Sequence, residues 1–558
     1  MNKFVCFLFI FLFSASQVFA EFQRADHGMV SSRSDIASEI GKNILAQGGN
    51  AIDAAVAVGF ALAVAYPSAG NIGGGGFLVF RNSSGEVYTQ DSREKAPLAA
   101  DRDMFLDSNG NVDRELSRNS LQATGVPGSV AGLLDALERF GSMSREQVIA
   151  PAIQLAEQGF ILNEDLAEQF QGNLRNFSRY PASMNKFSKQ GEAYQAGDLW
   201  QQAELAETLK LISEHGRDGF YKGPVADMLI SSMQEHNGLI THRDLEAYQP
   251  IWRDPVHGNY RGYDIWSMAA PSSGGVLLVQ MLNMLEPFDL TTLGWGSTAT
   301  LHLMIEAQRR AYADRAEHLG DPDFYEVPTT MLTSKTYAQQ RFADFDPLKA
   351  SDSSAIDAGS WPAESMETTH FSVIDAEGNA VAITTTLNAS YGNKFVVPGA
   401  GFLLNNEMDD FSSSPNTANS FGLIGREANE IQPSKRMLSS MSPTIITQDD
   451  KVLLITGSPG GSTIINTVLE VIVNVIDHGM NVENAVSSPR FHHQWLPNII
   501  RYENGAISEQ VVSELRSMGH QGLSSSRFSQ GDANSIMVVE GAFEGVSDPR
   551  NVGGVAGF

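Results

Sequence analysis

Thr368 to Asp375 (TTHFSVID) and Ala380 to Thr386 (AVAITTT) flank the short turn Ala376-Glu377-Gly378. The two runs read as strands, and three loop residues with glycine last fit a type I turn closed by a bulge. Symmetric pairing about Glu377 sets Asp375 opposite Asn379. Carried back along the ladder, the same register sets Thr368 opposite Thr386, so two hydroxyls meet at the open end of the hairpin. Just upstream, residues 345–366 shift to Ser, Asp, Ala and Pro, the best linker candidate in the chain. A threonine that follows a linker and heads a strand has two readings. One is an ordinary β-former, which hairpin geometry alone favours. The other is a nucleophile: cutting the Glu367–Thr368 bond would give Thr368 a free α-amine. Such an amine titrates at about 7.7–8.0 in model compounds and can take the hydroxyl proton without a histidine.

A second hairpin is expected downstream, with Ser442 to Thr447 and Val452 to Thr456 joined at Asp449-Asp450. Gly457-Ser458-Pro459-Gly460-Gly461-Ser462 then leads into a helix from about Thr463 to Asp477. The amides of Gly460 and Gly461 sit at that helix N-terminus, where they suit either a developing oxyanion or merely a tight turn.

The first part of the chain reads as helical. Apolar spacing predicts a helix from Asp35 to Ala46, stopped by Gly48-Gly49. Asn50 caps a second helix, Ala51 to Ala65, which is apolar nearly all round apart from Asp53 and so is expected to be buried. The run Gly70-Asn71-Ile72-Gly73-Gly74-Gly75-Gly76 follows, then a strand at Phe77 to Phe80. Phosphate-cradling loops need a strand before the glycines and a helix after them. The order here is the reverse, which points to a close backbone crossing near a site. Residues 140–260 read as surface helices with polar loops. Residues 300–319 read as an amphipathic helix whose Arg309, Arg310, Asp314 and Arg315 are solvated or paired.

Composition narrows the function classes. There are 38 basic and 65 acidic side chains, a net charge of −27. That balance argues against nucleic acid and anionic membranes as partners. Lys3, the short apolar run Phe4 to Phe13 and the small residue in Val18-Phe19-Ala20 read as a signal peptide over 1–20, so the mature protein is expected in the periplasm or secreted, without a membrane anchor. The sole cysteine, Cys6, falls in that leader, which removes disulfides and thiolate chemistry from the mature chain. The adjacent His492-His493 pair is expected to be structural, because neighbouring histidines do not generally point at one ion. No catalytic metal and no cofactor are expected.

Several longer stretches carry a family resemblance. Glu367-Thr368-Thr369-His370-Phe371-Ser372, Leu404-Asn405-Asn406-Glu407-Met408-Asp409-Asp410-Phe411, Leu438-Ser439-Ser440-Met441-Ser442-Pro443, Gly457 to Ser462 and Pro489-Arg490-Phe491-His492-His493-Gln494-Trp495 resemble the small subunit of γ-glutamyltransferases. Gly48-Gly49-Asn50-Ala51-Ile52-Asp53-Ala54-Ala55, the 70–76 glycine run and Asp91-Ser92-Arg93-Glu94 resemble the large subunit. The resemblance runs in order over nearly the whole mature chain. It implies an α+β N-terminal-nucleophile hydrolase: an αββα sandwich of two stacked antiparallel sheets between helical layers. It also implies self-cleavage between Glu367 and Thr368 into a large piece, 21–367, and a small catalytic piece, 368–558, that stay together as a heterodimer.

Carried onto matching positions, the resemblance makes Thr368 the nucleophile, Thr386 its hydrogen-bond partner, and Gly460 and Gly461 the oxyanion hole. Arg93 would take the substrate α-carboxylate with help from Ser439 and Ser440, and Asn388, Glu407 and Asp410 would take its α-ammonium. One cation for a carboxylate and two anions for an ammonium suit the amino-acid end of a γ-glutamyl donor. The substrates implied are glutathione and other γ-glutamyl compounds, with water, amino acids or peptides as acceptors. Segment 412–430 matches a lid over the pocket, and Phe421 stands where many bacterial relatives carry a tyrosine. Phenylalanine has no hydroxyl to offer Asn388, which bears on the balance of hydrolysis against transpeptidation. Two alternatives remain at this point: a glutaryl or cephalosporin acylase on the same frame, and an uncleaved, catalytically silent binding protein.

Overall fold

The computed structural model describes residues 21–356, 368–413, 427–526 and 529–558. Residues 1–20, read from the sequence as a leader, and Glu367 and Phe421 lie outside the described residues. The hairpin that dominates the sequence lies at the centre of a seven-stranded antiparallel sheet. Its order is Gly554–Gly557, Gly28–Ser32, Thr369–Asp375, Ala380–Thr386, Gly75–Arg81, Val87–Asp91 and Ile251–Arg253. Thr369 pairs with Thr385 and Ile374 with Ala380, the register expected from the turn. Gly378 closes that turn at φ +83°, in the left-handed region the bulge requires.

A second seven-stranded sheet runs Glu21–Ala25, Ala542–Ser547, Ser535–Val539, Lys451–Thr456, Thr444–Gln448, Tyr263–Ser267 and Val256–Tyr260. The expected Thr444–Gln448/Lys451–Thr456 hairpin is present. Asp449 at φ +50° and Asp450 at φ +58° make the two-residue left-handed turn that fits strand twist.

Side-chain alternation sorts the layers. Ile374, Ala380 and Ala382 point inward and pack with Ile445, Ile455 and Ile536 of the other sheet. Their neighbours Phe371, Val373, Val381 and Ile383 point outward into a helical layer built on the buried helix Ala51–Ala65. On the far side, Ile446, Leu454 and Val546 pack against Gly274–Leu285, Thr298–His318 and Thr463–Ile476. The result is helix, sheet, sheet, helix. Each fully buried aliphatic side chain contributes about 1.5–3 kcal/mol to this stack, so its stability needs no disulfide.

The Asp35–Ala46 and Ala51–Ala65 helices have the expected ends. Asn50 and Asp53 form a reciprocal capping box. Asp53 also accepts the Ser142 and Met143 amides, which accounts for the one acidic residue in an otherwise apolar helix. Two expectations need correction. Residues 251–260, within the stretch read as surface helices, contribute two strands, Ile251–Arg253 and Val256–Tyr260. The helix at Thr298–His318 is not amphipathic in burial: every residue from Thr300 to Ala316 is buried. Its charges survive there by pairing, as Glu306 with Arg309 and Arg310, and Asp314 with Arg341. Among the described residues no helix is long and apolar enough to cross a membrane.

Candidate active site

Thr368 and Thr386 meet at the open end of the central hairpin. Thr368 Oγ donates to Thr386 Oγ over a long 3.5 Å, and Thr386 Oγ accepts the Asn388 amide at 2.8 Å. Both threonines are buried, Thr368 retaining 6% exposure. They line a small pocket together with Arg93, Asn388, Glu407, Asp410, Ser439, Ser440 and Gly461, and with Arg315, Met441 and Ile464. Nine positions singled out in the sequence thus converge on one cavity.

The glycine run explains how the strand head is held. A Cβ on Gly74 would stand 2.0 Å from the Thr386 carbonyl oxygen, and one on Gly76 would stand 2.5 Å from that of Thr384. Only bare backbone allows this approach, which is the close crossing expected from the motif. His370, next along the strand, takes no place in the pocket. Its ring bonds Thr384 Oγ at 2.9 Å and Ser372 Oγ at 3.1 Å. Burial holds its pKa down to about 3, so it is a neutral packing group.

Gly461 borders the pocket, and Gly460 precedes it in the turn before the Thr463–Ile476 helix. Their φ values, +130° and +53°, are ones that side-chain-bearing residues rarely adopt. Ser462, at the N-cap, makes no side-chain bond to the first-turn amides. The amides of Thr463 and Ile464 are instead taken by the Gly460 and Gly461 carbonyls at 3.0 and 3.3 Å.

The charged wall is a tight ion cluster. Arg93 donates through Nη1 to Glu407 Oε1 and through Nη2 to Asp410 Oδ2 at 2.5 Å, with Glu94 Oε2 3.6 Å away. Arg93 also reaches the carbonyls of Met437 at 3.3 Å and Leu438 at 3.4 Å. Burial pushes the Glu94 carboxyl up to about 7 and that of Asp410 up to about 6, with Arg93 pulling both back. Glu407 is driven well above the usual carboxylate range by the same burial. Asn388, at φ +72°, donates to the Asn406 carbonyl at 2.9 Å, while its Oδ1 is buried with no hydrogen-bond partner. An orphaned acceptor facing a polar pocket is costly unless a ligand fills it.

Ser439 and Ser440 line the same pocket. Ser439 Oγ accepts the Met441 amide at 3.1 Å, and Ser440 Oγ accepts from Arg315 Nη2 at 3.3 Å. Arg315, near the C-terminal end of the long helix, was given no site role in the sequence reading, because that helix was read as amphipathic with its charges solvated or paired. Glu94 was quoted within a motif but given no role. No spacing in the sequence distinguishes Arg315 from the paired arginines one turn away.

His492 bonds Asn466 Nδ2 at 2.7 Å and Gln494 Oε1 at 2.8 Å, whereas His493 bonds the Ile499 carbonyl at 3.1 Å. The two rings serve different partners, in keeping with structural roles. Among the described residues, His302, Glu306 and His520 are close enough to share an ion. However, His302 Nδ1 and His520 Nε2 already bond each other at 2.8 Å, and Glu306 is engaged by Arg309 and Arg310. Those two cations disfavour a third.

A four-layer αββα sandwich with a polar pocket at the head of its central hairpin is the fold of the N-terminal-nucleophile hydrolases. Comparison with known proteins makes the assignment narrower. The family model described as Gamma-glutamyltranspeptidase matches residues 37–558. A "Glutathione hydrolase proenzyme" of Escherichia coli (strain K12) is 48% identical over 532 residues, 95% of this chain and 91% of that protein. The structure of Helicobacter pylori gamma-glutamyltranspeptidase is 48% identical, with a TM-score of 0.57 over 58% of this chain and 93% of that one. That of cephalosporin acylase from Bacillus halodurans is 25% identical, with a TM-score of 0.85 over 96% of this chain and 97% of that one. The chain belongs to the γ-glutamyltranspeptidase family.

Proposed function

We propose that this chain is an exported γ-glutamyltransferase and glutathione hydrolase that matures by cutting itself between Glu367 and Thr368. Thr368 Oγ attacks the Glu367 carbonyl, and the peptide is exchanged for an ester. That exchange breaks the C–N bond and frees the Thr368 α-amine; water then splits the ester, releasing the Glu367 carboxylate and restoring the Thr368 hydroxyl. The pieces 21–367 and 368–558 remain one unit, because the central sheet interleaves strands from both: Gly28–Ser32 and Gly75–Arg81 flank the hairpin. With 1–20 removed as a leader, the mature enzyme works in the periplasm or outside the cell.

In turnover, the Thr368 α-amine accepts the hydroxyl proton as Oγ attacks the γ-carbonyl of glutathione or a similar donor. Thr386, fixed by the Asn388 amide, orients that hydroxyl. The Gly460 and Gly461 amides stabilise the oxyanion. The proton passes to the departing amine, leaving a γ-glutamyl ester on Thr368. Water then gives hydrolysis, and an amino acid or peptide amine gives transpeptidation.

The observation that carries this reading is one pocket holding two opposed threonine hydroxyls, the Arg93–Glu407–Asp410 cluster and the unpartnered Asn388 Oδ1. The cluster pairs within itself what a substrate would bring in opposite sense. The α-carboxylate replaces the acids on Arg93, and the α-ammonium replaces Arg93 on the acids and fills Asn388 Oδ1. A glutaryl donor has no ammonium and would leave those buried acceptors unmatched, which favours γ-glutamyl over the acylase alternative.

A denaturing gel tests the reading and separates it from a silent binding form. Wild-type protein should give two bands, the smaller beginning Thr-Thr-His, and Thr368→Ala should give one inactive band. A Thr368→Ala protein that still cuts normally would overturn the assignment.

A further inference from the structure

Arg315 is 4% exposed and lines the same pocket as Thr368. Among the described residues it makes no ion pair within 4 Å, whereas Arg93 beside it holds two carboxylates. Burial pulls its pKa down to about 10, but it remains a cation at any working pH. The carboxylate whose charge it feels, Asp410, is already held by Arg93, and a buried guanidinium with no carboxylate in contact suits a site that expects an anion.

Its hydrogen bonds show where the charge is directed. Nη2 donates to Ser440 Oγ at 3.3 Å. Nε donates to Ser273 Oγ at 2.9 Å, and Ser273 Oγ donates in turn to the Ser439 carbonyl at 2.7 Å. Ser440 Oγ accepts from Arg315, and Ser439 Oγ accepts from the Met441 amide. Each hydroxyl thereby keeps its own proton as a donor. We propose that Arg315 is the positioning residue of the substrate-carboxylate subsite: it aligns Ser440 directly and Ser439 through Ser273, and supplies the positive charge that Arg93 alone does not. In the empty site Arg93 is held by Glu407 and Asp410, whereas Arg315 has no carboxylate in contact and is the guanidinium left to face an entering carboxylate. This assignment rests on the γ-glutamyl reading above and sharpens it: the pocket reads the carboxylate through two serines polarised from behind.

Three anilides separate the possibilities: γ-glutamyl, glutaryl (no ammonium) and 4-aminobutyryl (no α-carboxylate). Wild-type enzyme must prefer γ-glutamyl over 4-aminobutyryl. Equal turnover would remove the carboxylate subsite and the functional reading with it, whatever Arg315 does. Given that preference, Arg315→Met should lower kcat/KM for the γ-glutamyl and glutaryl donors by about 10- to 100-fold, mostly through KM, the range of a lost charge-assisted hydrogen bond. The 4-aminobutyryl donor should change less than about threefold, and Arg315→Lys should restore part of the loss. If that donor turns over too slowly, inhibition by L-glutamate and by 4-aminobutyrate gives the same comparison. Should Arg315→Met fail to mature, Ser273→Ala, which removes the Nε acceptor and the bond to the Ser439 carbonyl but keeps the charge, should show the same substrate pattern in weaker form. A loss shared equally by all three donors, or no loss at all, overturns the proposal.

Discussion

Asn71 fastens the glycine run to the strand that ends at Thr386. Its Nδ2 donates to the Thr386 carbonyl at 2.9 Å, and its Oδ1 accepts the Gly74 amide at 2.9 Å. One side chain thus clamps the crossing that sets where the Thr386 hydroxyl stands. Gly74 has no room beyond its backbone, since a Cβ would lie 2.0 Å from that same Thr386 oxygen. Gly74→Ala should therefore push the strand head outward, at a cost of about 1–3 kcal/mol. Urea midpoints should fall, and pulse-chase gels should show slower conversion to two bands. A variant that matures at the normal rate with normal stability would show the crossing to be pliable.

The Thr368–Thr386 contact is long in the empty protein at 3.5 Å, and catalytic hydrogen bonds of this kind commonly tighten with substrate. Thr386→Val keeps the shape and removes the hydroxyl. The expected result is a fall in kcat of about 10- to 100-fold with KM little changed, because the lost bond orients the nucleophile rather than holding substrate. Thr386→Ser should recover most of the rate. Loss through KM alone, or no rescue by serine, would assign Thr386 to packing.

The hairpin, its register and the Asn50 cap were legible because short-range rules decide them: turn chemistry, strand alternation and capping act within a few residues. The pocket's first wall was legible because it rests on long motifs. Arg315 was not. Its helix carries enough charge to look solvent-facing, yet those charges find partners on elements far away in the chain, such as Asp314 with Gln280, Tyr337 and Arg341. Which charged helix is buried depends on packing from both sides, and periodicity within one segment does not encode that. The internal pairing of Arg93 with Glu407 and Asp410 was equally out of reach, since it joins residues more than 300 positions apart.

The acids around Arg93 predict a substrate-specific pH limb. Binding an α-ammonium requires ionised carboxylates, and burial raises Glu94 to about 7 and Asp410 to about 6. Their negative charge is lost as pH falls through that window. The ratio of kcat/KM for γ-glutamyl over glutaryl anilide should therefore rise with pH between about 5.5 and 7.5 and level off above it. Taking the ratio cancels titration of the Thr368 amine, which both donors share. Asp410→Asn should flatten the limb. A ratio independent of pH in the wild type would separate these acids from ammonium recognition.

Glu94 carries the last prediction, about stability. Both of its carboxyl oxygens are buried without a hydrogen-bond partner, 3.6 Å being its nearest approach to Arg93 Nη1. Its pKa is about 7 folded against 4.5 for the free side chain. Between those values the folded state holds a proton that the unfolded state has released. Stability therefore falls as pH rises through this window, and the full penalty is present above it. Glu94→Gln has no proton to lose, so it should be closest to wild type near pH 5 and more stable at pH 8, by on the order of 1–3 kcal/mol given the coupling to Arg93 and Glu407. The comparison belongs in the Thr368→Ala background, where the chain stays in one piece and unfolding is unimolecular. Urea melts at the two pH values decide it. A glutamine variant that loses ground on going from pH 5 to pH 8 would mean that Glu94 is ionised in the folded protein and holds Arg93 as a stabilising partner.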